Sequence, residues 1–188
     1  MTIKTSACCR LPLAVWLLLA ACSSPPPLPV YGHIPRFQLT DHHGQAFDSA
    51  QLRGKVWVAD FIFTSCGGPC PRMSAHMRQV QRAAATLPEV RLISFTVDPA
   101  TDTPPVLAAY ARRYQAEPGR WYFLTGEQAA LHHLGREAFK LHNVDGGLEH
   151  STRLVLLDRE SRIRGFYSSE EEGAVPRLIA DMRRLVKG

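Results

Sequence analysis

The sequence predicts an α/β domain in which a central mixed β-sheet is flanked by helices and carries an N-terminal β-hairpin extension. Three observations predict it. Stretches of strand character alternate with stretches of helical periodicity through most of the chain, an order that suits crossover connections better than a sandwich or a bundle. VWVADFIF, residues 56 to 63, is a nearly unbroken apolar run rich in β-branched and aromatic residues, the pattern of a strand covered on both faces. Two cysteines, Cys66 and Cys70, then stand in a Gly/Pro-rich turn, FTSCGGPCP, that leads from this strand into a helix-like run.

Taken in order, FQLTDHHGQAFDSAQLRGK reads as two short strands around a turn at His43-Gly44, with LRGK closing the second segment. The apolar strand and the cysteine loop follow. PRMSAHMRQVQRAAATL is helical in period, and Pro71 is acceptable in a first turn, where its missing N–H is not needed. VRLISFTV, residues 90 to 97, is a second buried strand, and the turn VDPATDTPP opens the helix VLAAYARRYQ. WYFLTG reads as a strand end and EQAALHHLGREAFKL as a helix. RLVLLD and RIRGFY, separated by RES, form a hairpin, and AVPRLIADMRRLVK closes the chain as an amphipathic helix. A cysteine pair at the carboxyl end of the first central strand makes this a thioredoxin-like arrangement. There is no internal repeat.

The first residues stand apart from this fold. MTIKTSACCR carries Lys4 and Arg10 with no acid, and LPLAVWLLLA is an apolar run too short to span a bilayer comfortably, so residues 1 to 21 read as a signal peptide. Its end, Leu19-Ala20-Ala21-Cys22, resembles the bacterial lipobox, which implies lipid on Cys22 and attachment to a membrane of the cell envelope, facing the periplasm or the outer side. Residues 22 to 33, with SSPPPLPV, read as a Pro/Ser-rich tether, and residues 34 to 188 as the folded domain.

Lys4 and Arg10 are the only charged residues in the signal, so 20 basic residues remain against 17 acidic, a charge of +3. That balance is too mild to indicate nucleic acid as a partner. Cys8 and Cys9 leave with the signal and Cys22 goes to lipid, so Cys66 and Cys70 are the cysteines of the folded domain, in an oxidising compartment. A strand-to-helix turn places a cysteine near orphan backbone N–H groups that favour thiolate, and Cys66 is the more exposed candidate. Three residues, Gly67-Gly68-Pro69, separate the pair, one more than in thioredoxin-type redox pairs. This spacing leaves three readings open: a staple, a redox pair, or two arms of a metal clamp. A staple across so small a loop adds only about 2 kcal/mol. Soft thiolates select soft ions, copper(I) above all, with a third ligand still needed for a trigonal site.

DFIFTSCGGPCPRMS, ISFTVDPATDTPPVLAAYARRY, WYFLTG and LEHSTRLVLLD together resemble the SCO/SenC family of membrane-tethered copper chaperones, in family order from about residue 36 onward. The resemblance implies a thioredoxin-like fold and one copper ion, Cu+ or Cu2+, held by Cys66, Cys70 and His150. It also implies delivery of copper or electrons to the dinuclear copper site in the copper-acceptor subunit of a cytochrome oxidase. Two functions are compatible with it: a metallochaperone, which is a carrier and not an enzyme, and a thiol–disulfide oxidoreductase whose redox-active pair, Cys66 and Cys70, reduces the acceptor's cysteines. The chain departs from the family where Cys-Gly-Gly-Pro-Cys replaces a loop with Pro after the first cysteine, and where Glu149 stands for the common Asp before His150.

Other candidates have plainer readings. Asp98 matches a family position near the metal loop and equally suits a cap for the turn before Pro99. Met73 and Met77, four apart on a helix, are read as core, and His76 on the same helix as exposed. His42-His43 fall in a turn, His132-His133 in a helix and His142 before a loop, with no second cluster of ligand spacing. Neither haem attachment, zinc-finger, P-loop nor Ser-His-Asp signatures occur.

Overall fold

The computed structural model describes residues 26–141 and 151–188, and there one sheet of eight strands organises the chain. The strands are β1 Gly32–His33, β2 Gln38–Asp41, β3 Ala46–Asp48, β4 Val56–Ile62, β5 Val90–Thr96, β6 Trp121–Thr125, β7 Arg153–Leu157 and β8 Arg162–Ser168. Helices α1 Cys70–Ala83, α2 Pro104–Arg113, α3 Gln128–His133 and α4 Ala174–Lys187 complete the order with a 3-10 turn at Ser49–Leu52 and a π-helical turn at Leu134–Ala138, so the segment expected as one helix, EQAALHHLGREAFKL, is α-helical only over its first part. Across the sheet the strands run β1-β8-β7-β4-β5-β6-β2-β3. β4, β5 and β6 are parallel, as strands joined by crossover helices must be, and the remaining pairs are antiparallel. The sheet is therefore mixed, as the sequence predicts.

All seven residues of β4 are buried, which explains why that segment reads as one apolar run. Alternation divides them between two faces. Trp57 and Phe61 project to the side where Phe139 meets both rings, at 6.0 and 5.2 Å, and where Phe61 stacks on Phe95 at 4.8 Å. Val58, Asp60 and Ile62 project to the opposite side, which α1, α2 and α4 cover with Met73, Met77, Val80, Leu107, Leu178 and Met182. The N-terminal hairpin β2–β3 turns at His42–Gly44, where the Asp41 carboxylate accepts from His43 N and Gln45 N and Gly44 takes a positive φ of 77°. It extends the sheet by pairing Thr40 with Thr125 of β6.

At the other edge, Gly32–His33 pairs with β8 although it lies in the segment read as tether. Its flanking prolines leave Tyr31 N and Ile34 N free to donate to Ile163 O and Ser161 O, both at 2.9 Å. No helix among the described residues is long and apolar enough to cross a membrane.

Candidate dithiol site

The cysteines stand where β4 hands over to α1. The chain leaves the sheet after Ile62, turns so that Cys66 N donates to Phe63 O at 3.3 Å, and enters the helix at Cys70 with Pro71 in the first turn. This is the carboxyl end of the parallel strands, where open α/β sheets place their chemistry. Gly67 and Gly68 take no positive φ, and a side chain at either would meet nothing closer than the Cys66 sulfur, 3.9 Å from the position at Gly68. The paired glycines are thus not demanded by backbone strain or crowding.

Cys66 is half-buried and Cys70 fully buried, and their thiols are hydrogen-bonded rather than joined in a disulfide. Burial first, and the Cys66 thiol second, push the Cys70 thiol well above its ordinary range, with the Phe63 backbone acting in the opposite sense. For Cys70, desolvation outweighs the thiolate-favouring helix terminus. The outward-facing Cys66 is the sulfur a second molecule can reach.

Two acids that sequence reasoning passed over support this site. Asp102, 0% exposed, reaches back across the loop. Its carboxylate accepts from Thr64 N at 3.2 Å and from the hydroxyls of Thr64 and Thr96, so it ties the residue two before Cys66 to the end of β5. Asp60 lies in the middle of β4 on the face that α1 covers, close enough to Cys70 for its charge to oppose the thiolate. It is also 0% exposed. Neither of its oxygens finds a hydrogen-bond partner in normal geometry. Burial pushes its carboxyl up to about 7, and the nearby Ser94 hydroxyl, already accepting from the Trp121 indole at 2.9 Å, offsets only part of that rise. An acid inside an otherwise apolar strand is itself a signal, because such a group is costly unless used or paired. Asp102 left no comparable local mark, since its partner Thr64 is 38 residues away.

The SCO1/SenC family model matches residues 29–187. The chain belongs to the SCO1/SenC family. A crystal structure of a SCO1/SenC family lipoprotein from Bacillus anthracis is similar at 32% identity and a TM-score of 0.74, covering 82% of this chain and 95% of that one. BsSco, a member of the Sco family of cytochrome c oxidase assembly proteins with an identified disulfide switch, is 28% identical at a TM-score of 0.74, over 86% and 98% of the two chains. Bradyrhizobium japonicum ScoI with copper bound is 25% identical at a TM-score of 0.65, over 82% and 99%. The thioredoxin-like α/β arrangement expected from the sequence is the fold of this group.

In this SCO1/SenC protein the fold brings Cys66 and Cys70 together, while His150, Glu149, His142 and Cys22 lie outside the described residues. Among the described residues no three His, Cys, Asp or Glu side chains gather in a group that could hold a metal ion. Met73 and Met77 are core, both 0% exposed, as helical spacing predicts. Asp98 serves its turn, accepting from Thr101 N and Asp102 N through its carbonyl. His76 is half-buried rather than exposed, midway along α1 and near Arg72, with burial and then that guanidinium lowering its pKa. His42 is buried, and its Nδ1 accepts from Phe123 N at 3.3 Å, a structural tie between the hairpin turn and β6.

Proposed function

We propose that this protein carries one copper ion on Cys66, Cys70 and His150 and passes it to the dinuclear copper site of a respiratory cytochrome oxidase. The observation that carries the reading is the pair of sulfurs held within hydrogen-bonding distance at the strand-to-helix turn of a SCO1/SenC chain, one facing outward and one buried. Two sulfur donors suit a soft ion, an imidazole completes a three-coordinate site, and the open side permits ligand exchange with an acceptor. Copper is the cargo, Cu+ in the thiolate-rich form and Cu2+ on oxidation. The copper-bound state of Bradyrhizobium japonicum ScoI and the assembly role of the Sco family to which BsSco belongs support the reading. Cys22 carries the lipid that holds the protein at the envelope membrane, which the lipoprotein from Bacillus anthracis supports.

The hydrogen-bonded thiols, together with the disulfide switch of BsSco, favour one second reading: a thiol–disulfide oxidoreductase that reduces the acceptor's cysteines before they take copper. In it the outward Cys66 attacks the acceptor disulfide, and Cys70 then closes on Cys66 and releases the acceptor as a dithiol. The two readings part at His150. In the carrier, His150→Ala lowers copper(I) affinity at least about 100-fold, the upper range seen even for residues that merely support a metal ligand, while leaving the rate of dithiol exchange unchanged. In the reductase, exchange is all that matters and the variant is silent. Competition for copper(I) against a chelator, paired with disulfide-exchange kinetics, reads both.

A further inference from the structure

The cysteine loop occupies one end of the sheet, and the opposite end is where the positive charge collects. β7 is antiparallel to β4, with Leu157 opposite Trp57, so the β7–β8 turn stands at the start of β4, and Gly54 N donates to Arg159 O there. A cleft of about 610 Å³ at this end is lined by Arg159, Arg162, Arg164, Arg184 and Lys187 against Asp158 and Glu160. Arg53 and Lys55 on the adjoining turn and Arg183 on α4 extend the patch. Counting Asp181 as a third acid, eight basic residues stand around this cleft against three acidic ones.

The same end receives the N-terminal segment. Arg164 donates to Pro29 O at 2.9 Å and to Leu28 O, and Arg184 donates to Pro26 O at 2.6 Å. Prolines offer carbonyls without competing N–H groups, so the tether lies on the arginines as a row of acceptors. Four residue steps lead from Pro26 back to Cys22, a reach of at most about 14 Å. Arg53, Arg183 and Lys187 are exposed and make no ion pair among the described residues.

We propose that this arginine-rich end is a docking face for an anionic phospholipid surface, and that it holds the Cys66–Cys70 loop on the far side of the domain, directed away from the bilayer. The orientation rests on lipid anchoring at Cys22. The charge asymmetry stands independently of it. Six residue steps along β4 separate the two ends, about 20 Å, so a protein seated this way presents its thiols to the extramembrane part of an acceptor and not to the membrane. Each basic side chain near an anionic surface adds about fivefold to partitioning, and salt screens the effect.

The test uses the full lipidated chain in phosphatidylcholine vesicles with and without about 30% phosphatidylglycerol. The expected result is slowed hydrogen exchange at residues 158–162 and 183–187 in the anionic vesicles only. High salt and the triple variant Arg53→Glu, Arg183→Glu, Lys187→Glu should reverse it, with the cysteine loop unaffected throughout. Equal exchange in the two vesicle types, or protection at the cysteine loop, overturns the proposal. If the mass of the purified chain shows Cys22 unmodified, the anchoring reading fails on its own. The Cys22→Ser chain then tests the face by sedimentation: binding to the anionic vesicles that falls at least about 100-fold in the triple variant supports it, and binding to neither vesicle overturns it.

Discussion

At pH 8, Asp60→Asn is expected to raise the unfolding free energy by up to about 4 kcal/mol relative to the unsubstituted chain. The carboxyl of Asp60 is fully buried, the Ser94 hydroxyl offsets only part of the cost, and its pKa is pushed from 3.8 to about 7. An acid whose folded pKa is raised binds its proton more tightly in the folded state. Its favourable contribution is complete below the unfolded value, is lost as pH rises from about 4 to about 7, and above that the folded state carries the whole penalty of a buried charge. The amide has no such titration and nearly the same shape. Denaturant unfolding of the two proteins should therefore diverge steadily between pH 4 and pH 8, with the variant the more stable at the upper end. Parallel curves would mean that Asp60 is solvated or paired in the folded protein. The persistence of a destabilising acid beneath Cys70 is what one expects where a site is held at a cost to stability.

Asp102→Ala should act in the opposite direction, lowering stability by about 2–4 kcal/mol, because it takes the acceptor away from the Thr64 amide and from two threonine hydroxyls. Its effect should be concentrated at the cysteine loop, since the lost bonds fasten Thr64, two residues before Cys66, to Thr96 at the end of β5. Hydrogen exchange at the Thr64 amide should accelerate by more than the global loss of stability explains, and Asp102→Asn, which keeps one acceptor oxygen, should recover part of both effects. Uniform acceleration across the sheet would assign Asp102 to general stability alone.

These two acids also mark where reading the sequence stopped short. The strands and helices were legible because their signals are local: the apolar run of β4, the helical period after Pro71, the RES turn between β7 and β8. The convergence of Cys66 and Cys70 was legible for the same reason, since a turn with three residues between them cannot carry them far apart. The cover of the sheet was not. That Phe139 wedges against Trp57 and Phe61, or that Asp102 reaches Thr64, depends on packing between segments far apart in sequence, which no window contains. Asp60 was visible as the one charge in VWVADFIF but was absorbed into the strand pattern, although a buried unpaired carboxylate is more informative than the seven apolar residues around it. The short strand at Gly32–His33 was hidden by its prolines, which suggested a tether where the flanking N–H groups still pair with β8.

The most direct test of the proposed chemistry is titration of the reduced full chain with copper(I) against a competing chelator, with X-ray absorption of the loaded protein at the copper edge. The account predicts saturation at one copper per chain, copper–sulfur scattering from two thiolates, and loss of both in the Cys66→Ser, Cys70→Ser double variant. Stoichiometric binding that survives in the double variant, or a loaded protein without sulfur in the copper shell, would contradict it.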